Sequence, residues 1–299
     1  MNQNNEILIE NFLVFINDVK KFSHHTIRSY KNDLNQFLIF LKQYDEELLF
    51  VNIDKSVIQQ YIQKISKSNL NDKTILRKVS TIKSFYKFLM INGLISFNVM
   101  DLIPSPKTTK RIPGYLSIKE IKLLMSLPDL STYKGNMHRS ILELFYSTGM
   151  RLSELVSIER HNINFKKRII KILGKGNKQR IVILGNEALK ALKNYLNYDR
   201  HSNSQYIYPS LINEKNHLSV NYVYKMVKKY LSCVSKNEKL SPHSLRHSFA
   251  THLLNEGADL MSVKDLLGHE DLSSTQVYTH VTLEKIKKIY KLSHPYGKK

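Results

Sequence analysis

Residues 240–280 gather four side chains suited to a phosphate: His243, Arg246, His269 and Tyr278. Helical spacing puts His243 and Arg246, three residues apart, on one face. The planar fork of Arg246 matches two phosphate oxygens. It would match a core carboxylate as well, so spacing alone leaves both readings open. A phenol beside a bound phosphate is a nucleophile, but with a free pKa of about 10 it needs a base or a field to activate it. His269 and Tyr278 stand nine residues apart, roughly 13 Å on a straight helix. Between them, Ser273-x-x-Gln276 fits a capping box. The spacing therefore predicts that a helix ends near Leu267 and a short new one carries Tyr278. The chain has 17 tyrosines, and nothing in its own spacing separates Tyr278 from one that merely packs.

The elements that must hold these groups are mostly helical. Apolar positions repeat at three and four over about 5–20, 26–41, 55–66 and 72–92, with Ser23 placed to cap the second helix and Gly93 to end the fourth. Four amphipathic helices with short connections predict a helical domain over 1–102. Residues 103–114 hold three prolines, a glycine and three basic residues, which predicts an extended linker. A second domain, 115–299, starts with a helix over 118–126 behind Ser117 and a more apolar one over 136–147. Ser153 is placed to cap a short helix, with Arg151 on the turn before it. Residues 168–173 and 179–184 switch to β-branched runs around Gly174-Lys175-Gly176-Asn177-Lys178, which predicts a β-hairpin. Helices follow over about 186–199, 219–234, 242–255 and, behind Asp259, 260–267. The fold class expected is mainly α with a small β-hairpin or sheet, in two domains.

Charge points to the partner. The chain has 46 Lys and Arg against 25 Asp and Glu, a formal net charge of +21. Residues 1–110 carry 15 basic and 10 acidic side chains, and 111–299 carry 31 and 15. An excess of this size suits a polyanion such as nucleic acid. Arg28, Lys31, Arg77, Lys83 and Lys87 fall on the polar faces of the second and fourth helices. Each one alone is an ordinary solvated side chain; as a set they could follow phosphates. No apolar run approaches the roughly 18 residues of a membrane span, and the N-terminus lacks the basic region of a signal peptide. Cys233 is the single cysteine, which excludes an intramolecular disulfide and fits a reducing cytoplasm. No clustered carboxylates suggest a two-metal nuclease, and no metal or cofactor is expected.

Six positions together carry a resemblance. Thr-Gly-Met-Arg-Leu-Ser-Glu-Leu (148–155), Gly-Lys-Gly-Asn-Lys-Gln-Arg (174–180), Ser-Pro-His-Ser-Leu-Arg-His-Ser-Phe-Ala-Thr-His-Leu (241–253), Leu-Leu-Gly-His (266–269) and Tyr278-Thr-His-Val are in order along the chain. The pattern resembles the tyrosine recombinases of the lambda-integrase type, and within them the bacterial Xer subgroup. The resemblance spans the whole chain. It implies a core-binding domain and a catalytic domain closing as a C-shaped clamp on DNA. It also implies cleavage by Tyr278, with a 3′-phosphotyrosine and a free 5′-hydroxyl. Arg151 and Arg246 would clamp the non-bridging oxygens, Lys175 would protonate the departing 5′ oxygen, His243 would act as acid and base, and His269 would hydrogen-bond the phosphate. Glu154 would orient the loop holding Arg151. Lys178 and Arg180 join the five helical cations as expected DNA contacts.

The resemblance further implies resolution of chromosome dimers and a tetramer on a double-stranded DNA recombination site. That tetramer would be formed with itself or with a second recombinase, under a possible DNA-translocase regulator. Residues 283–296 would be passed to a neighbouring protomer, unless they form a helix packed on their own domain. A phage, transposon or plasmid integrase would use the same chemistry. So would a type IB topoisomerase, usually in a larger scaffold. A regulator that binds DNA without cutting it would need only the basic surfaces.

Overall fold

The computed structural model describes residues 4–104, 114–174, 179–198, 203–268, 287 and 289–295. The chain divides into two compact units between residues 111 and 112. Most of the expected linker, the hairpin tip with Lys175 and Lys178, and the expected break between His269 and Tyr278 lie outside the described residues.

The first unit contains α1 (Asn5–Asp18), α2 (His24–Tyr44), α3 (Lys55–Lys67) and α4 (Asp72–Ile91). Asn4, Ser23, Asp54 and Asn71 each accept a first-turn N–H, so local side chains set all four starts. The apolar stripes meet in a core rich in aromatic rings. Phe85 lies edge-on to Phe12 at 5.4 Å and to Phe50 at 5.0 Å between centroids. Asn5 ties the turn at Phe50 to α1: its Nδ2 donates to the Leu48 carbonyl and its Oδ1 accepts from the Phe50 N–H. Tyr86 closes the same turn by donating to the Phe50 carbonyl at 2.9 Å.

A buried polar cluster in this unit is centred on one carboxylate. Asp33 on α2 is 1% exposed and accepts from Arg77, from Lys78 at 3.2 Å and from the Thr81 hydroxyl at 2.9 Å. Arg77 is therefore not a free solvent-facing cation as its helix position suggests; it is tied to a core carboxylate and keeps 40% of its side chain exposed.

The second unit is built around α6 (Tyr133–Thr148), in which 13 of 16 residues are buried, so other elements must cover it on nearly every side. It packs on α8 (Asn186–Asn197) and α10 (Pro242–Asn255), while α5 (Ile118–Ser126) and α7 (Leu152–Val156) pack on α9 (Val220–Val234). A full capping box, Ser117 with Glu120, starts α5. The sheet has three antiparallel strands in the order β1 (Ile163–Asn164), β2 (Ile169–Leu173), β3 (Gln179–Ile183). Its register pairs Ile170 with Val182 and Ile172 with Arg180. Among the described residues, the last element before the candidate nucleophile is α11 (Leu260–Leu267), which is capped by Asp259 and stops at Gly268 in the left-handed region. Among the described residues, no helix is long and apolar enough to cross a membrane.

Of the C-terminal segment expected over 283–296, the described part docks on its own unit. The Tyr290 hydroxyl lies 2.6 Å from Ser147 Oγ, and the buried His294 ring stacks on Tyr290 and leans on Tyr146 and Phe249. Gly185 makes room for this contact, since a Cβ there would lie 2.3 Å from the Tyr290 hydroxyl.

Candidate functional site

Arg151 stands at the N-cap of α7, the position Ser153 was expected to fill. Ser153 lies inside the helix instead. The cap is made backwards: Glu154 reaches from the first turn and its Oε2 accepts the Arg151 N–H at 2.6 Å. The same carboxylate takes the Arg151 side chain, Nη1 to Oε1 at 2.9 Å, and Arg151 Nη2 donates to the Gly268 carbonyl at 3.3 Å. Glu154 thus orients Arg151, as the sequence suggested.

Arg246 projects from α10 toward the same point. Its Nη1 donates to the Gly149 carbonyl and its Nη2 to the Leu267 carbonyl at 2.8 Å. Gly149 and Gly268 are the left-handed C-caps of α6 and α11. Both guanidiniums therefore rest on carbonyls that end a helix, which have no partner within it and sit at its negative pole. Gly149 is obligatory on two counts: its φ is +58°, and a Cβ would lie 2.5 Å from the Phe249 ring.

Arg180, expected on the hairpin as a DNA contact, is corrected by the structure. It is 6% exposed and turns inward, giving Nη1 to Glu154 Oε1 at 2.6 Å and Nη2 to Glu154 Oε2 at 2.8 Å. Burial pushes the Glu154 carboxyl up, but the Arg180 and Arg151 contacts outweigh it and hold it below its ordinary value. Burial and the neighbouring Arg151 and Arg180 charges pull Arg246 down to about 10, so it stays protonated at neutral pH. Two guanidiniums thus bind one carboxylate with a third, Arg246, close enough to feel their charge, and the surplus positive charge is half-buried. Such a site favours an anion, and a tetrahedral oxyanion fits the forked donors.

His243 occupies the first turn of α10, exposed, one helical turn before Arg246. The other histidines near it are structural. His252 Nδ1 lies 2.9 Å from the buried Tyr146 hydroxyl, and Tyr115 packs edge-on to His247 and His252. The structure thus brings together Arg151 and Arg246, with His243 on the same helix. Lys175, His269 and Tyr278 lie outside the described residues, but the elements leading to them are in place: β2 ends just before Lys175 and Gly268 immediately precedes His269.

Of the expected DNA contacts, Arg28, Lys31, Lys83 and Lys87 are exposed on α2 and α4, and Lys178 lies outside the described residues. Reading the sequence missed the Arg180–Glu154 pair and the buried Lys78. Both had a signal. Strand alternation puts Arg180 on the same face as the buried Val182, and Lys78 falls three after Ile75 and four before Ile82 on the core face.

Comparison with known proteins identifies the family. Residues 115–285 match the phage integrase family, and residues 9–93 match the phage integrase N-terminal SAM-like domain. Tyrosine recombinase XerD of Staphylococcus haemolyticus is 37% identical over 97% of this chain and 99% of its own length. Tyrosine recombinase XerC of Thermodesulfovibrio yellowstonii is 38% identical over 99% and 98%. Among solved structures, XerH site-specific recombinase bound to a palindromic difH substrate in a post-cleavage complex shares the fold. Its TM-score is 0.71 at 19% identity, over 96% of this chain and 95% of that one. With both domains matched and the relatives aligned almost end to end, the chain belongs to the phage integrase family, as a tyrosine recombinase of the Xer type.

Proposed function

We propose that this recombinase cuts and rejoins duplex DNA at one recognition site through Tyr278, and that its task is the resolution of chromosome dimers. The observation that carries the chemistry is the pair of guanidiniums, Arg151 and Arg246, each seated on a helix-end carbonyl, with Glu154 behind the first. Fixed donors of this kind stabilise the extra charge of a pentacoordinate phosphorane without having to reorganise. The Tyr278 oxygen attacks the scissile phosphorus and the bond to the 5′ oxygen breaks. Lys175 supplies the proton that makes the 5′-hydroxyl. His243 takes the phenol proton and His269 hydrogen-bonds the phosphate. Each phosphodiester broken is replaced by a phosphotyrosine, so rejoining needs no external energy source.

Arg28, Lys31, Lys83, Lys87 and Lys178 serve as backbone contacts that set the register on DNA. The working assembly is a tetramer across two duplexes, with itself or with a second recombinase, in the cytoplasm. The Xer naming of the aligned relatives supports the chromosomal role.

The test is to select the DNA that Tyr278→Phe protein retains from random and genomic fragments, and to locate it. A single chromosomal site, cut by wild type to a covalent adduct that survives denaturation, supports the reading. Retention of mobile-element ends would assign the protein to integration. Tight binding without any adduct would leave only a DNA-binding role.

A further inference from the structure

Arg180 is set apart from the other cations of the hairpin by what surrounds it. It lies on the inner face of β3, opposite Ile172 and in step with the buried Val182. Its two terminal nitrogens both donate to Glu154, at 2.6 and 2.8 Å, and the residue is only 6% exposed, so the guanidinium faces the carboxylate and not a phosphate at the surface. Glu154 in turn holds Arg151 twice, at the backbone N–H and at Nη1. The stem of Arg180 also touches the backbone next to His269: a Cβ on Gly268 would lie 2.8 Å from Arg180 Cδ and 3.0 Å from Nε. One side chain thus ties the base of the Lys175 hairpin, the carboxylate behind Arg151 and the residue before His269.

We propose that Arg180 is a positioning residue for strand cleavage: it fixes the Arg151 guanidinium through Glu154, packs against the Gly268 backbone that accepts from Arg151, and does not bind DNA. Without the bidentate partner, the Glu154 carboxylate is free to rotate, and Arg151 loses its defined direction toward the phosphate. A clamp misplaced by about 1 Å costs on the order of 100-fold in rate. DNA affinity should be spared, because the contacts that carry it lie elsewhere. The proposal rests on the assignment of Arg151 and Tyr278 to the reacting phosphate. Adduct formation by wild type, and its loss in Tyr278→Phe, test that assignment separately.

The experiment uses full-length Arg180→Gln and Arg180→Lys on a nicked duplex carrying the sequence that Tyr278→Phe protein retains. It reads single-turnover cleavage, the salt dependence of binding and thermal melting. The expected result for Arg180→Gln is a cleavage rate lower by on the order of 100-fold, with an unchanged salt slope. Arg180→Lys, which keeps the charge but not the two-nitrogen fork, should lose about tenfold. A methylphosphonate at the scissile position removes the charge that the clamp neutralises. It should restore cleavage by both variants and by Arg151→Ala, and Arg151→Ala/Arg180→Gln should be no slower than Arg151→Ala alone. If Arg180→Gln melts too low to assay, Arg180→Lys carries the same comparison. The proposal is overturned if the salt slope falls by about 0.9, the signature of one lost phosphate contact. It is equally overturned if cleavage stays at the wild-type rate, or if methylphosphonate restores Arg151→Ala but not the Arg180 variants.

Discussion

Replacing Gly149 with alanine tests whether the end of α6 is the support on which Arg246 rests. Two costs add. A left-handed residue with a Cβ costs about 1–2 kcal/mol, and Gly149 has φ +58°. The new methyl would also lie 2.5 Å from Phe249 Cδ1 and 3.0 Å from Leu267 Cδ2, both in the core, and overpacking of that kind costs about 1–3 kcal/mol. The sum is roughly 2–5 kcal/mol, or a fall in Tm of roughly 5–15 °C for a unit of this size. Gly257 is an internal control in the same unit: its φ is +89°, and a Cβ there would meet nothing within 4 Å. Gly257→Ala should cost only the backbone part, about 1–2 kcal/mol. The two variants should also differ in cleavage. Gly149→Ala displaces the carbonyl that holds Arg246 Nη1, whereas Gly257→Ala touches neither arginine. Denaturant titration, followed by cleavage of a nicked duplex at a temperature where both are folded, measures each effect. Equal stability losses, or unimpaired cleavage by folded Gly149→Ala, would refute the reasoning.

Three further predictions follow from buried charge. Burial, with Lys134 and Lys229 nearby, pushes His138 down to about 4, while its ring nitrogens lie 2.9 and 3.0 Å from the Tyr222 and Tyr230 hydroxyls. The unfolded chain then binds the extra proton first, so this contribution is full above about pH 6.5 and is lost as pH falls toward 4. It is worth about 3 kcal/mol, and His138→Gln should flatten that slope in a pH series of melts. Glu143 has the opposite sign: burial raises it to about 7 despite Arg139. Its stabilisation is present below about pH 4.5 and lost as pH rises through 7, so Glu143→Gln should gain on wild type at pH 8 and not at pH 4; no gain at pH 8 contradicts this. In the first unit, Asp33→Asn leaves the 3%-exposed Lys78 without its counter-charge. It should destabilise that unit by about 3–5 kcal/mol, and a change within error on denaturation would contradict the pairing.

How far the sequence could be read depended on the range of the interaction. Helices with caps one to three residues away were legible: Ser23, Ser117 and Asp259 all cap where the pattern puts them. The short helix after Arg151 was legible but its cap was not, because a carboxylate reaching back replaces the hydroxyl reaching forward. Arg77 and Arg180 looked like surface cations because the carboxylates that claim them, Asp33 and Glu154, lie 44 and 26 residues away in the chain. Such pairing is decided by packing, which periodicity does not contain. Strand parity at Arg180 and helix phase at Lys78 would have shown that these side chains face inward, though not which partner they meet. The proposed catalytic set is drawn only from a family pattern, since neither spacing nor charge separates Tyr278 from the other tyrosines.

The most direct measurement is to map the protein–DNA bond. Wild-type protein is trapped on a nicked duplex, the DNA trimmed to one nucleotide, and the modified peptide sequenced by mass spectrometry. The 3′-phosphate should be found on Tyr278 and vanish in Tyr278→Phe, with Arg246→Lys lowering its yield by about 10²–10³-fold. A nucleotide on any other residue, or an adduct that survives Tyr278→Phe, would contradict the account.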